Sequence, residues 1–268
     1  MTIRTGLLKR SPLKYVVASV RFAPWPLLGS KIAEIQDAIR DIAPLMHTIE
    51  IEQLSPNGQT IQRSGTTREA WMFMGADKSF GIQMSPDQLL LFTTSYTRFA
   101  DFIKIYRQAL DILIKHMRYV DVINMGARYI DYIKLSSEEN LSDYISSSFL
   151  PPIAAGHKSV GANIVSEYSV DNSKLRVSSV SMPGLIPVPQ DILGILMMID
   201  PKPIQLTPLT DKELVFDMDA IKVFEKPTKM LAEPILEELD NLHTTANNFF
   251  RQPDVFTDYA FDIWKGDL

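Results

Sequence analysis

Two hydrophobic periods alternate along this chain, and their order limits the fold more than any other feature. Apolar residues recur every three or four positions from Phe99 to Met117 and from Ile235 to Phe249, which predicts two long amphipathic helices. Before each helix lie shorter segments in which apolar residues take alternate positions, as in half-buried strands. Each half of the chain therefore follows one order: a strand, a helix, several antiparallel strands and a long helix.

This repeated order predicts an α+β fold of two pseudo-symmetric lobes. The N-terminal lobe spans residues 1–120 and the C-terminal lobe spans 121–268, and the two pack intimately as one folding unit. A continuous sheet shared by the lobes fits this interpretation, and the alternative is one larger sandwich with outer helices. No repeat is visible residue by residue.

The segment Lys14–Ala23 is predicted to be a strand bounded by prolines. Its even-numbered residues from 16 to 22 are all apolar, so one face of the strand should be buried. Ser30 is the predicted N-cap of the next helix, which Pro44 ends, and a short helix is predicted at Glu138–Phe149. The other predicted strands are His47–Leu54, Trp71–Gly75, Ser79–Ser85, Gln88–Thr94, Val122–Leu135, Gly161–Val170, Lys174–Met182, Leu193–Ile199, Glu213–Val223 and Asp258–Trp264, with tight turns at Pro56–Gly58 and Asp171–Asn172.

Composition excludes several classes of protein. The chain has 268 residues, 46% of them hydrophobic, and no cysteine, which excludes disulfide scaffolds, thiolate nucleophiles and thiolate metal sites. The start lacks the apolar run of a secretory signal, and no apolar stretch approaches the roughly 20 residues of a membrane span. We therefore expect a cytoplasmic, bacterial-type protein that does not enter a membrane.

Charge is distributed unevenly along the chain. The net charge is −5, yet residues 1–33 contain no acid, and residues 190–268 carry 15 acids and 7 bases. The favoured interpretation is that the two ends lie together and neutralise each other. The alternative is that the basic start, helped by a basic outer face on the helix after Phe99, contacts nucleic acid or an acidic partner. The bases at the start are Arg4, Lys9, Arg10, Lys14, Arg21 and Lys31.

Paired acids provide the first candidate site. Asp217 and Asp219 alternate on a strand, so their carboxylates point the same way, about 7 Å apart, as in sites that hold Mg²⁺ or Ca²⁺. A metal-dependent hydrolase also needs a third ligand, for which Asp200 is the candidate. The competing interpretation is a solvated strand face.

The Arg128–Tyr129 pair is the candidate for ligand binding. A strand arginine can bind a phosphate or a carboxylate of a ligand. It can equally form an ion pair with an acid on the neighbouring strand, and Asp217 or Asp219 would serve. We favour the ion pair.

His243 is the last candidate, as a catalytic or metal-ligating residue, because Asp240 lies three residues before it on the same helix. Carboxylate metal sites need a second such pair, which the sequence lacks, so a histidine at the edge of the core is favoured. The signatures of serine hydrolases, zinc proteases and phosphate-binding glycine loops are missing too, and no cofactor is expected.

Several segments together resemble a sporadically distributed bacterial family of uncharacterised proteins of about 260 residues. The similar segments are SPLKYVVASVRF, SPDQLLLFTTSYTRFADFIKIYRQAL, GARYIDYI, LVFDMDA and LDNLHTTANNFF. The resemblance implies no activity. The patchy distribution of the family resembles that of defence or toxin–antitoxin genes, which is an association and not a mechanism.

Three functions are compatible with these observations. The first is a non-catalytic binding or accessory protein that recognises a protein partner, encoded nearby, or a small ligand; a homo-oligomer is compatible with it. The second is a metal-dependent hydrolase or nuclease that uses the strand aspartates with Arg128 on a phosphate. The third, nucleic-acid binding through the basic start, is the least expected. We favour the first because no catalytic motif is present.

Overall fold

The computed structural model describes residues 4–57, 60–198 and 207–266. Within these ranges, nine strands form one antiparallel sheet in the order β2-β3-β4-β5-β1-β6-β9-β8-β7. Helices and strands therefore combine in an α+β fold, as predicted. The strands are β1 (Leu13–Phe22), β2 (Leu45–Asn57), β3 (Thr60–Met74), β4 (Phe80–Ser85), β5 (Gln88–Thr93), β6 (Val120–Lys134), β7 (Asn163–Val170), β8 (Ser173–Val180) and β9 (Glu213–Met230).

The two halves of the chain share this sheet. Strand β1 pairs with β6 at the centre, and each half continues outward from its own first strand. The N-terminal half runs β1-β5-β4-β3-β2 and the C-terminal half runs β6-β9-β8-β7. The shared sheet is confirmed, whereas the spatial pseudo-symmetry of the halves and the division at residue 120 stay predictions.

Most helices lie on one face of the sheet, which we call the helix face. The described helices are α1 (Leu28–Ile39), α2 (Phe99–Met117), α3 (Leu141–Tyr144), α4 (Gln190–Leu196), α5 (Ala232–Phe250) and α6 (Asp258–Lys265). Helix α5 packs on β6 and β9, and α2 packs on α5. The apolar side of β1 faces these helices, so Val16, Ala18, Val20 and Phe22 are buried in the main core, as predicted.

A second core lies on the opposite face, which we call the second face. Tyr15, Val17, Ile130 and Val215 pack there against residues of the segment 188–196 and Leu209. This segment covers only part of the second face. Farther along the same strands the second face is polar, beginning with Arg128 on β6, and this polar part carries the candidate site described below.

Two predicted strands are helices, so those predictions are wrong. Residues 193–196 belong to helix α4, where Ile192 and Leu196 are buried one turn apart. A short apolar run fits a buried helix as well as a strand, which explains the error. Residues 258–264 belong to α6, where Thr257 accepts a hydrogen bond from the Ala260 N–H and Gly266, in the left-handed region, ends the helix.

Two helices also differ from the predictions in where they begin or end. Helix α1 begins at Leu28, and the Ser30 hydroxyl donates to the Leu27 carbonyl instead of capping the helix. The helix predicted at Glu138–Phe149 is one turn, Leu141–Tyr144, followed by a 3₁₀ turn at Ser147–Phe149. The turn at Asp171–Asn172 is confirmed, while Gly58 of the other predicted turn lies outside the described residues.

The two ends of the chain meet, as the favoured reading of the charge distribution predicts. Arg4 forms an ion pair with Asp258, its N–O distance 2.7 Å, and its guanidinium lies over the Phe261 ring. The Arg10 N–H donates to the Trp264 carbonyl. Within the described ranges, none of the helices has both the length and the hydropathy of a membrane span.

Candidate functional site

Arg128 and Asp217 form a mostly buried ion pair on the second face. Antiparallel pairing places Arg128 of β6 opposite Asp219 of β9, with Asp217 one position farther along the same face. The Arg128 guanidinium donates through Nε to Asp217 Oδ1 at 2.8 Å and through Nη2 to Oδ2 at 2.6 Å. The side chains are 16% and 10% exposed. The predicted ion pair is therefore confirmed, and two parallel hydrogen bonds fix its geometry.

Arg128 also belongs to a row of alternating charges that crosses four strands. Direct pairing places Asp219 opposite both Arg128 and Arg176 of β8, and Arg176 opposite Glu167 of the edge strand β7. Residues paired directly across strands lie on one face of a sheet, so all four side chains belong to the second face. Among the described residues, no hydrogen bond or ion pair holds Arg176 or Glu167, and both are exposed.

A cleft of about 760 Å³ lies over this row. Its floor carries Arg128, Asp217, Asp219 and Arg176, and one wall is the segment 184–189, which leads into α4. Three aliphatic side chains that line the cleft are exposed: Val165 at 47%, Leu185 at 41% and Ile186 at 49%. Apolar surface of this kind, gathered around polar groups, is typical of a binding site.

Tyr129 and His243 lie on the helix face, away from the cleft. The Tyr129 hydroxyl and His243 Nδ1 share a hydrogen bond of 2.8 Å, and the Phe99 ring stacks on the imidazole with centroids 4.2 Å apart. Burial lowers the pKa of His243 to about 4, although Asp240 acts in the opposite direction. His243 is thus a neutral, packed residue at pH 7, and it does not meet Arg128 or Asp217.

Two of the three proposed metal ligands, Asp217 and Asp219, lie at alternate positions of β9 on the second face. Asp200 lies outside the described residues. Among the residues that the structure does describe, no three of His, Cys, Asp and Glu are grouped so as to hold a metal ion. Because both Asp217 oxygens accept hydrogen bonds from Arg128, this carboxylate is already neutralised. The geometry therefore does not favour a metal centre at Asp217 and Asp219.

Asp131 is an unusual residue close to this site. It lies next to Ile130 on β6, is 1% exposed, and its Oδ2 has no hydrogen-bond partner among the described residues. Burial, with repulsion from Asp217, raises the pKa of Asp131 to about 8, and Lys14 opposes this shift. Asp131 is therefore mostly protonated at pH 7, so a second negative charge does not add to that of Asp217.

Sequence reasoning missed Arg176, Glu167 and the wall at 184–189. Arg176 belongs to a predicted strand, but its place beside Asp219 depends on β9 lying between β6 and β8. The available signal was the alternation of charged and apolar residues from Lys174 to Val177 of β8, which indicates one polar face but not which strand lies next to it. Comparison of the sequence with protein-family models and with curated proteins finds no match.

Proposed function

We propose that this protein is a non-catalytic binding protein, and that it recognises a segment of a protein partner in the cleft on the second face. The observation that carries the proposal is the combination of a floor of opposite charges with the exposed side chains of Val165, Leu185 and Ile186. Protein interfaces combine an apolar centre with polar groups in this way.

The charges of the floor support a peptide-like occupant. Two arginines, Arg128 and Arg176, and two aspartates, Asp217 and Asp219, leave the floor without net charge. A floor of this kind has no general attraction for a polyanion such as a nucleic acid, which needs a surplus of positive charge. It suits an occupant that carries charges of both signs beside apolar side chains, and a protein segment has this composition.

The shape of the cleft also favours a segment of a larger partner. Pockets for small molecules enclose most of the ligand surface. Here three of the aliphatic residues that line the cleft, Val165, Leu185 and Ile186, are 41% to 49% exposed, so they would remain partly wet around a small ligand. A partner protein that covers the rim would remove this apolar surface from water.

The resemblance to a patchily distributed bacterial family adds a context to the proposal. A dedicated partner encoded next to this gene, made in the same cytoplasm and serving a defence or toxin–antitoxin system, would fit such a distribution. The resemblance supports this context by association alone.

The proposal is tested by quantitative affinity capture from cells of the source organism. The wild type and a Leu185→Asp variant serve as baits, and captured proteins are quantified by mass spectrometry. A carboxylate on the apolar wall would lose its hydration when a partner covers it, so we expect the specific partner to be reduced at least tenfold.

Leu27→Asp provides the matched control. Leu27 is also an exposed leucine, but it lies beside α1, which packs on the helix face. This variant should retain the partner in full, and both variants should melt within a few degrees of the wild type. Equal capture by Leu185→Asp and the wild type would contradict the proposal.

A further inference from the structure

We propose that the partner segment binds as an added β-strand along the free edge of β7, with a basic residue beside Glu167. This inference rests on the proposed function for the existence of a partner, and it specifies how the partner is held. Strand addition uses the backbone hydrogen-bonding groups that an edge strand leaves unpaired, and side chains on alternate positions give specificity.

Strand β7 has the properties of an accepting edge. It is the last of the described strands on its side of the sheet, and all of its eight residues pair with β8 in an uninterrupted register. Its sequence, NIVSEYSV, contains neither proline nor lysine, and Glu167 is its single charged residue. Natural edges are usually protected from such pairing by charges, prolines or bulges, and β7 has little of this protection.

The other edge of the sheet provides the contrast. Strand β2 carries Glu50, Glu52 and Pro56, and its pairing with β3 is interrupted by a register shift between Glu52 and Leu54. Proline lacks the N–H that a new neighbour would need, and a bulge disturbs the regular spacing of the edge. Edge protection is therefore concentrated on β2, and β7 is left regular.

The position of β7 connects the edge to the cleft. Asn163 and Val165 of β7 line the cleft, so a strand added outside β7 would extend the floor under the wall at 184–189. Its residue opposite Val165 would meet exposed aliphatic surface. On the helix face the added strand would lie beside Tyr168, which is 38% exposed and whose ring packs on Phe249 at 5.0 Å. We therefore expect apolar residues of the added strand opposite Val165 and beside Tyr168.

Charge complementarity determines which residue of the added strand is favoured opposite Glu167. The row across the second face reads Arg128, Asp219, Arg176 and Glu167, with alternating sign, and it ends at the free edge with a negative charge. The next residue in this row belongs to the added strand. Opposite charges facing each other across strands are stabilising and like charges are destabilising, so lysine or arginine is favoured opposite Glu167.

A second copy of this chain is a poorer occupant of the edge. Directly paired residues of antiparallel strands share a face, so a twofold-related β7 would place an odd-numbered residue opposite Glu167. The odd-numbered residues of β7 are Asn163, Val165, Glu167 and Ser169, and none of them is basic. Self-association would place no basic residue on the outer side of Glu167, whereas a different protein segment can supply one.

The test uses synthetic peptides with the purified full chain. The first probe, Thr-Thr-Val-Lys-Thr-Ile-Val-Thr, is written to run antiparallel to β7, with its lysine opposite Glu167 and its isoleucine opposite Val165. The second probe replaces lysine by glutamate. The third keeps the side chains of the first but carries N-methyl groups on alternate peptide nitrogens, which removes the donors needed for pairing. Binding is measured by NMR titration, and protection by amide hydrogen exchange.

We expect the lysine peptide to bind about fivefold more tightly than the glutamate peptide, and the methylated peptide not to bind. Amides of β7 should become protected in the complex. Glu167→Lys should reverse the preference between the first two peptides, whereas the matched variant Glu50→Lys on β2 should leave it unchanged. Equal affinities for lysine and glutamate peptides, or binding of the methylated peptide, would overturn the inference.

Two further outcomes also decide the matter. If β7 amides are protected without peptide and the chain is a dimer in solution, a second copy occupies the edge and the inference is wrong. If the peptides do not bind while Leu185→Asp still loses its partner, the partner uses the cleft without strand addition. In that case the inference fails and the proposed function stands.

Discussion

The two faces of β6 and β9 are built from alternate residues of the same strands, yet they have different chemistry. On the helix face Tyr129, Phe216 and Met218 are buried under α5 and its neighbours. On the second face Arg128 and Asp217 hold each other by ionic hydrogen bonds under an open cleft. The contrast teaches that the main core lies on the helix face, which leaves the polar part of the second face, beside its smaller core, available for recognition.

Substitutions on the two faces should differ in their effect on the free energy of unfolding, and the largest loss is expected on the helix face.

Phe256→Ala should produce the largest loss in the free energy of unfolding. Phe256 is completely buried on the helix face, with its ring 4.9 Å from that of Phe216 and 5.1 Å from that of Trp264. Removing a buried aromatic ring lowers the free energy of unfolding by about 3–5 kcal/mol. Urea denaturation measures this loss. The control, Ile186→Ala on the cleft wall, should change stability by less than about 0.5 kcal/mol. Similar losses from both variants would contradict the division of roles.

Arg128→Met tests the second face. It leaves the Asp217 carboxylate buried without its partner, which should lower the free energy of unfolding by about 3 kcal/mol. The double variant Arg128→Met/Asp217→Leu should recover at least half of this loss, because no unpaired charge remains.

Arg176→Met is the matched control for that prediction. Arg176 lies on the same face and in the same row of charges, but it is exposed and no other described residue forms an ion pair with it. Its replacement should change stability by no more than about 0.5 kcal/mol. A loss as large as that of Arg128→Met would show that the exposed charges of the row also stabilise the fold.

The titration of His243 should have a smaller effect on stability than either Phe256→Ala or Arg128→Met. Burial lowers the pKa of His243 to about 4 in the folded chain, below its ordinary value of 6.5. Between these values the unfolded chain binds the extra proton, so stability is lost as the pH falls from 6.5 towards 4. This titration should lower the free energy of unfolding by about 2 kcal/mol, after allowance for the partial exposure of His243.

A His243→Gln variant isolates this contribution. Glutamine cannot titrate, yet it can still form a hydrogen bond with the Tyr129 hydroxyl. Unfolding measured at pH 7 and pH 4.5 should show a smaller drop for the variant than for the wild type. An equal drop in both proteins would mean that His243 is protonated in the folded state.

Local patterns predicted much of this fold because they report local physics. The even-numbered apolar residues of β1 and the helical spacing of α2 and α5 reflect burial against one neighbouring layer. The error at α6 arose because alternation in seven residues outweighed the Thr257 N-cap and the terminal Gly266. Capping residues carry more information about such a short segment than its hydrophobic period.

The site was predicted only in part because it depends on the order of distant strands. The Arg128–Asp217 ion pair was proposed from residue types, and alternation placed each residue on a face of its own strand. Which strands are neighbours, and in which register, is decided by packing over the whole sheet. Arg176 therefore joined the site only when β8 was seen beside β9.

Hydrogen exchange on the complex with the captured partner shows directly whether the partner binds in the cleft on the second face. We expect the partner to protect amides of β7, β8 and the segment 184–189, while protection on the exposed surfaces of α2 and α5 stays as in the free chain. Protection confined to α2 or α5, with the cleft exchanging as in the free chain, would contradict it.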